Sequence, residues 1–147
     1  MAESISSLEP SRLTGSFFVR RLDCAVAEVS RDFRSVRDRI EIRRQALKLR
    51  YWPAPAAEDA SGRLIDLDWS YVRALPDLKI GELRIHHPVG GHANIRIIFF
   101  VGPPDDRFPK PCIWILSVFA KKRDDFTTAQ IKNFRARREI VLARYYR

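Results

Sequence analysis

The chain has 147 residues, 46% of them hydrophobic, with six glycines. That length and composition suit one globular domain with one core and exclude an intrinsically disordered chain. The formal charge of +9 makes a polyanion the first partner class to consider.

The charge is concentrated in two segments. Residues 20–50 carry ten Lys/Arg against five Asp/Glu, and residues 120–147 carry nine against three. Residues 51–119 hold seven against eight, so the middle is close to neutral. The two cysteines, Cys24 and Cys112, have no CxxC or zinc-type spacing. They are expected as buried apolar residues in a reducing, cytoplasmic setting. No stretch approaches the roughly 20 apolar residues of a membrane span.

Residues 1–15 contain no apolar run fit for a signal peptide and are expected as a flexible tail. A single domain is expected over 16–147. "SFFVRRL" (16–22) can supply a short strand. Val26, Val29, Phe33, Val36, Ile40 and Leu47 recur at helical steps through a stretch free of Gly and Pro. They predict either one amphipathic helix over 24–50 or a helical hairpin broken near Arg34–Asp38. "YWPAPAAEDASG" (51–62) ends the helix and reads as a connecting loop. Residues 69–80 lead into a hairpin.

In that hairpin Leu83 and Ile85 share one face, and Glu82, Arg84 and His86 the other. Ile95, Ile97, Phe99 and Val101 lie opposite Asn94, Arg96, Ile98 and Phe100. "PVGGH" supplies the turn. Matching the apolar faces requires paired residue numbers with an even sum. A sum of 180 sets Arg84 opposite Arg96, and a sum of 182 sets His86 there. "CIWILSVFA" (112–120) is apolar enough for a central strand. Thr127 with Gln130 fits a capping box opening the final helix. In that helix Ile131, Phe134, Val141, Leu142 and Tyr145 form a core stripe. The expected fold class is therefore α+β: an N-terminal helix or helical hairpin packed on a small curved antiparallel sheet, closed by a C-terminal helix. Helices before a meandering sheet leave its other face free.

Arg84, Arg96 and the Lys121–Lys122 pair converge in this layout. Guanidinium groups hold a phosphodiester bidentately and stabilise the added charge of a pentacoordinate transition state. The plain alternative is that each cation is a solvated surface residue, paired with Glu82, Asp124 or Asp125. His86, His87 and His92 cluster around the turn, where a proton-transfer role stands beside the commoner structural one. Their spacing lacks the extra carboxylate or cysteine of a standard metal site, so no metal is expected. No P-loop, GxGxxG, GxSxG or HExxH occurs, and no cofactor is expected.

The order "LPDLKIGELRI…NIRIIFFV…IWILSVFAKKRDDFTTAQIKNFRARREIVLARYY" resembles the RelE/ParE toxin superfamily, most closely its HigB-like, phage-derived branch. The resemblance covers roughly residues 16–146. It implies a RelE-like fold and a type II toxin–antitoxin toxin: a ribosome-dependent, metal-independent mRNA endonuclease that inhibits translation. Cleavage would proceed by attack of the RNA 2′-hydroxyl. The implied partners are a helix-turn-helix antitoxin, the ribosome and mRNA, with no membrane and no small-molecule cofactor. Carried over by motif, Arg96, Arg84, Lys122 and Tyr146 would be catalytic. Lys121, Arg123, His86, His92, Arg135, Arg138 and Tyr145 would bind RNA. The position before Arg96 is Ile95, where the family usually has an aromatic residue. A ParE-like DNA gyrase inhibitor and a non-catalytic RNA- or ribosome-binding module remain as alternatives.

Overall fold

A computed structural model describes residues 17–53, 62, 66–108 and 110–146. The expected tail over 1–15, and the connecting loop except for residues 51–53 and 62, lie outside the described residues. The first strand, β1 (Phe18–Arg21), leads through Leu22 into helix α1 (Asp23–Asp32). The chain then breaks and restarts as α2 (Val36–Leu47), which ends in a short 3₁₀ turn, Lys48–Tyr51. The two-helix reading is thus the observed one, and side chains make the break. Ser35 Oγ accepts the Asp38 N–H at 3.0 Å to open α2. Arg39 donates to the Phe33 and Arg34 carbonyls, which α1 leaves without helical partners. Phe33, between the helices, is buried in the core.

Strands β2 (Trp69–Tyr71), β3 (Ile80–Ile85), β4 (Ile95–Val101) and β5 (Cys112–Ala120) follow, and helix α3 (Thr128–Tyr145) closes the chain. The sheet order is β1-β5-β4-β3-β2. β1 runs parallel to β5 while the other pairs are antiparallel. The sheet is therefore mixed and five-stranded, a correction to the purely antiparallel expectation. The helical pair between β1 and the rest lets β1 return alongside β5 in the same direction. β2, three residues long, is too short for the sequence pattern to predict as a strand. The β3–β4 register has the sum of 180: Ile80 faces Phe100, and Arg84 faces Arg96.

Two cores follow from the alternation. On one face Leu83, Ile85, Ile95, Ile97, Phe99 and Ile115 pack with Ala25, Phe33, Ile42 and Ala46 of the helical pair. On the other, Ile80, Ile98, Phe100, Trp114 and Leu116 pack with Phe134 and Val141 of α3. Each fully buried large side chain contributes roughly 1.5–3 kcal/mol. A bulge between Ile98 and Phe99 shifts the β4–β5 register, so that Ser117 faces Ile98 while Ile115 faces Phe99. The odd-numbered Ile113 and Ile115 and the even-numbered Val118 can then serve the same core. The capping box is present, with Thr127 Oγ1 accepting from the Gln130 N–H and Gln130 Oε1 from the Thr127 N–H.

β1 accompanies β5 only as far as Ile115. Beyond it the Leu116 carbonyl accepts from Arg137 at 2.7 Å, and Glu28 accepts from the Val118 N–H and the Ser117 hydroxyl. Glu28 and Arg137 are themselves 2.9 Å apart. One ion pair thus satisfies the sheet edge and ties α1 to α3.

Candidate functional site

The second face of the sheet is not free, contrary to what the order of elements suggests. α3 covers it over Phe100 and Trp114, and the opposite end, with Arg84 and Arg96, is left open. Arg84 and Arg96 lie directly opposite each other on β3 and β4. Their like charges would be destabilising alone. Glu82, on the same face and 7% exposed, resolves the conflict. Its Oε1 accepts from Arg96 Nε at 3.1 Å and lies 3.6 Å from Arg84 Nε.

The two arginines are nevertheless unequal. Arg84 also donates to Asp68 at 3.1 Å and to the Ser70 hydroxyl, so each of its nitrogens faces a protein acceptor. The Arg84 guanidinium is committed to holding β2 and its approach to β3. Arg96 spends Nε on Glu82 and makes a 3.4 Å contact from Nη1 to its neighbour's carbonyl. Among the described residues its Nη2 has no acceptor.

Two adjoining cavities meet at Arg96. The larger, about 620 Å³, has Arg73, Arg84, Arg96 and Lys121 in its lining, against Glu82, Asp124 and Asp125. Its charges nearly cancel. The smaller, about 300 Å³, is formed by Asn94, Arg96, Lys121, Lys122, Arg123 and Asp124, with four cations and one carboxylate. The Lys121 N–H donates to the Asn94 carbonyl at 2.9 Å, which holds the segment after β5 beside the start of β4. Lys121 Nζ sits 4.5 Å from the centre of the Phe126 ring, and Lys122 and Arg123 are exposed. This depression is where a phosphate would find most positive charge.

Other expected site residues lie elsewhere. Tyr146 accepts a hydrogen bond from Trp114 Nε1 at 3.0 Å and packs on Gly102, where a Cβ would collide with its hydroxyl. Trp114 pairs with Phe100, four residues along β4 from Arg96, a distance of roughly 13 Å at the strand rise. Burial pushes the Tyr146 hydroxyl up to about 12, the opposite of what an acid–base role requires. Tyr145 stacks on Trp114 at 4.4 Å. Arg138 donates to the Leu78 carbonyl and lies over Phe100, while Arg135 is exposed on α3. Arg137, outside the expected site, is the edge residue described above.

The histidines are distributed among three anchors. His86 lies 2.7 Å from Asp68, His87 lies 2.7 Å from Glu41 of α2, and His92 reaches the Asp32 carbonyl at the end of α1. The turn between them has Gly90 and Gly91 at positive φ, bracketed by the Val89–His92 bridge. All three thus fasten the hairpin to its neighbours.

No protein-family model, curated protein or solved structure matches the chain. Among the described residues no group of three or more His, Cys, Asp or Glu side chains is placed to hold a metal ion. Among them, too, no helix is long and apolar enough to cross a membrane.

Strand parity puts Glu82 on the arginine face, but that it serves both arginines emerges only from the packed structure. Asp68, Ser70 and Asn94 carry no motif, and they reach the site through β2 pairing and the backbone contact at Lys121.

Proposed function

We propose that the chain acts on RNA as a toxin of the RelE/ParE kind, a ribosome-dependent mRNA endonuclease neutralised by a helix-turn-helix antitoxin. The carrying observation is the convergence of Arg96, Lys121, Lys122 and Arg123 on one open depression beside a sheet that fixes the arginine. The order of an N-terminal helical pair, a sheet and a basic C-terminal helix supports the same reading, because the motif resemblance implies it. In the proposed reaction the 2′-hydroxyl oxygen bonds to phosphorus and loses its proton to solvent, from which the departing O5′ takes one up. The phosphorus–O5′ bond breaks, leaving a cyclic phosphate and a 5′-hydroxyl. Arg96 and the lysines would stabilise the charge that builds on the phosphoryl oxygens.

The position of Tyr146 favours a second reading, in which the depression binds RNA or the ribosome without cutting. Induced expression with mapping of mRNA 5′ ends separates the two. Endonuclease action predicts new 5′ ends and growth arrest, both lost in Arg96→Ala and reduced in the Lys122→Ala/Arg123→Ala pair, with circular dichroism unchanged. Salt-sensitive RNA binding without new ends supports the binding module. Intact mRNA with DNA-damage signalling points instead to gyrase.

A further inference from the structure

We propose that Glu82 is a resident counter-anion, which makes the site select a strand carrying successive phosphates over an isolated phosphate or mononucleotide. This rests on the RNA-directed reading and names the ligand class that the same site takes.

A guanidinium grips one phosphate most firmly through two parallel N–H donors. At Arg96 the Nε donor is already given to Glu82 at 3.1 Å. Arg84 donates to Asp68 and Ser70, and its Nε lies 3.6 Å from Glu82, so its charge is already faced by two carboxylates. An isolated phosphate at Arg96 therefore meets a partly used donor with a buried carboxylate behind it. The uncommitted charge lies further out, on Lys121, Lys122 and Arg123 around the smaller depression. No ion pair involving these three occurs among the described residues. Their charges stand on successive residues around the depression that also holds Arg96, so a ligand with several phosphates engages more of them than one phosphate does. A strand can place one phosphate at Arg96 and neighbouring phosphates on the rim. Glu82 thus lowers the affinity of the inner position for any anion, and only a ligand that also engages the rim overcomes this.

The test measures affinity of the full chain for inorganic phosphate by calorimetry, and for a short single-stranded RNA by fluorescence anisotropy, both at low salt. The wild type is expected to bind the RNA through Arg96, with binding lost in Arg96→Ala, and to bind phosphate weakly. Glu82→Gln keeps an acceptor for Arg96 but removes the charge, and should tighten phosphate binding by roughly tenfold or more. RNA binding should tighten as well, because its inner phosphate meets the same carboxylate, and the isolated phosphate that the wild type barely holds becomes a measurable ligand. Should Glu82→Gln not fold, Glu82→Asp keeps the charge but draws the carboxylate back from Arg96, and is expected to shift phosphate affinity in the same direction by a smaller factor. If the wild type binds RNA but a folded variant gains no phosphate affinity, the counter-anion role is overturned and the RNA reading stands. If the wild type binds no RNA, the RNA reading falls and this inference with it.

Discussion

The two ends of one sheet face, built from the same strands, have opposite characters. Under α3, Ile98, Phe100, Trp114 and Leu116 are buried against Phe134 and Val141. A few residues away along β4 and β5, Arg96 faces Phe119 and lines open cavities. The strands' alternation is common to both, and what differs is the cover. α3 begins only at Thr128, after a charged segment that borders the open end. A helix one turn longer at its start would reach about 5 Å further toward that end. The difference teaches that the site is made by where the capping box places the start of α3 as much as by the cations.

The largest test of this contrast is Trp114→Ala. It removes a fully buried indole that stacks on Tyr145 and donates to Tyr146. We expect a loss of about 3–5 kcal/mol in denaturant unfolding. A loss below about 1 kcal/mol would show that the covered end does not carry the stability assigned to it. Next, Glu28→Ala leaves Arg137 and the Val118 N–H without their shared acceptor in a region where both charged side chains are mostly buried. About 2–3 kcal/mol should be lost, with hydrogen exchange at Val118 accelerated ahead of the rest of β5. Thr127→Ala removes the cap that sets where α3 begins. It should cost about 1 kcal/mol and fray the first turn toward the open end, visible as faster exchange over Ile131 and Lys132.

The smallest effect concerns the hairpin anchor, outside both ends. Burial pushes Glu41 up, but hydrogen bonds from Gln45 and His87 outweigh it and leave the carboxyl below its usual value of 4.5. A lowered folded value means the anchor's contribution is complete above pH 4.5 and is lost as pH falls through the folded value. Amide protection near His87 should therefore fall below pH 4.5 before global unfolding. Solvent screening keeps the effect modest, since His87 is half exposed.

Much of the fold could be read from local pattern. Strand parity narrowed the hairpin register to sums of 180 and 182, because a one-residue slip would turn the apolar set to the wrong face, and the packed structure takes 180. The capping box joins residues three apart and the break between α1 and α2 joins residues three to six apart, so both are written locally, although the apolar pattern also allowed one continuous helix. β2 is not legible in the sequence, because three residues, Trp69–Tyr71, are too few to establish a period. The bulge opposite Ile98 and Phe99 and the parallel return of β1 depend on contacts distant in sequence. At the site, the convergence of Arg84, Arg96 and Lys121 was legible from strand order. The commitment of Arg84 was not, since Asp68 and Ser70 lie 16 and 14 residues away. Nor was the remoteness of Tyr146, which follows from the direction in which α3 runs across the sheet.

The Glu28–Arg137 closure of β5 also bears on how copies of the chain behave when concentrated. A strand whose partner stops halfway is a template on which another molecule's strand can add. Here the exposed half is occupied by side chains from two helices, and an incoming strand would have to displace a buried charge pair. Substitutions at Glu28 would therefore show themselves first as concentration-dependent self-association, before any change in the basic depression on the sheet's open end.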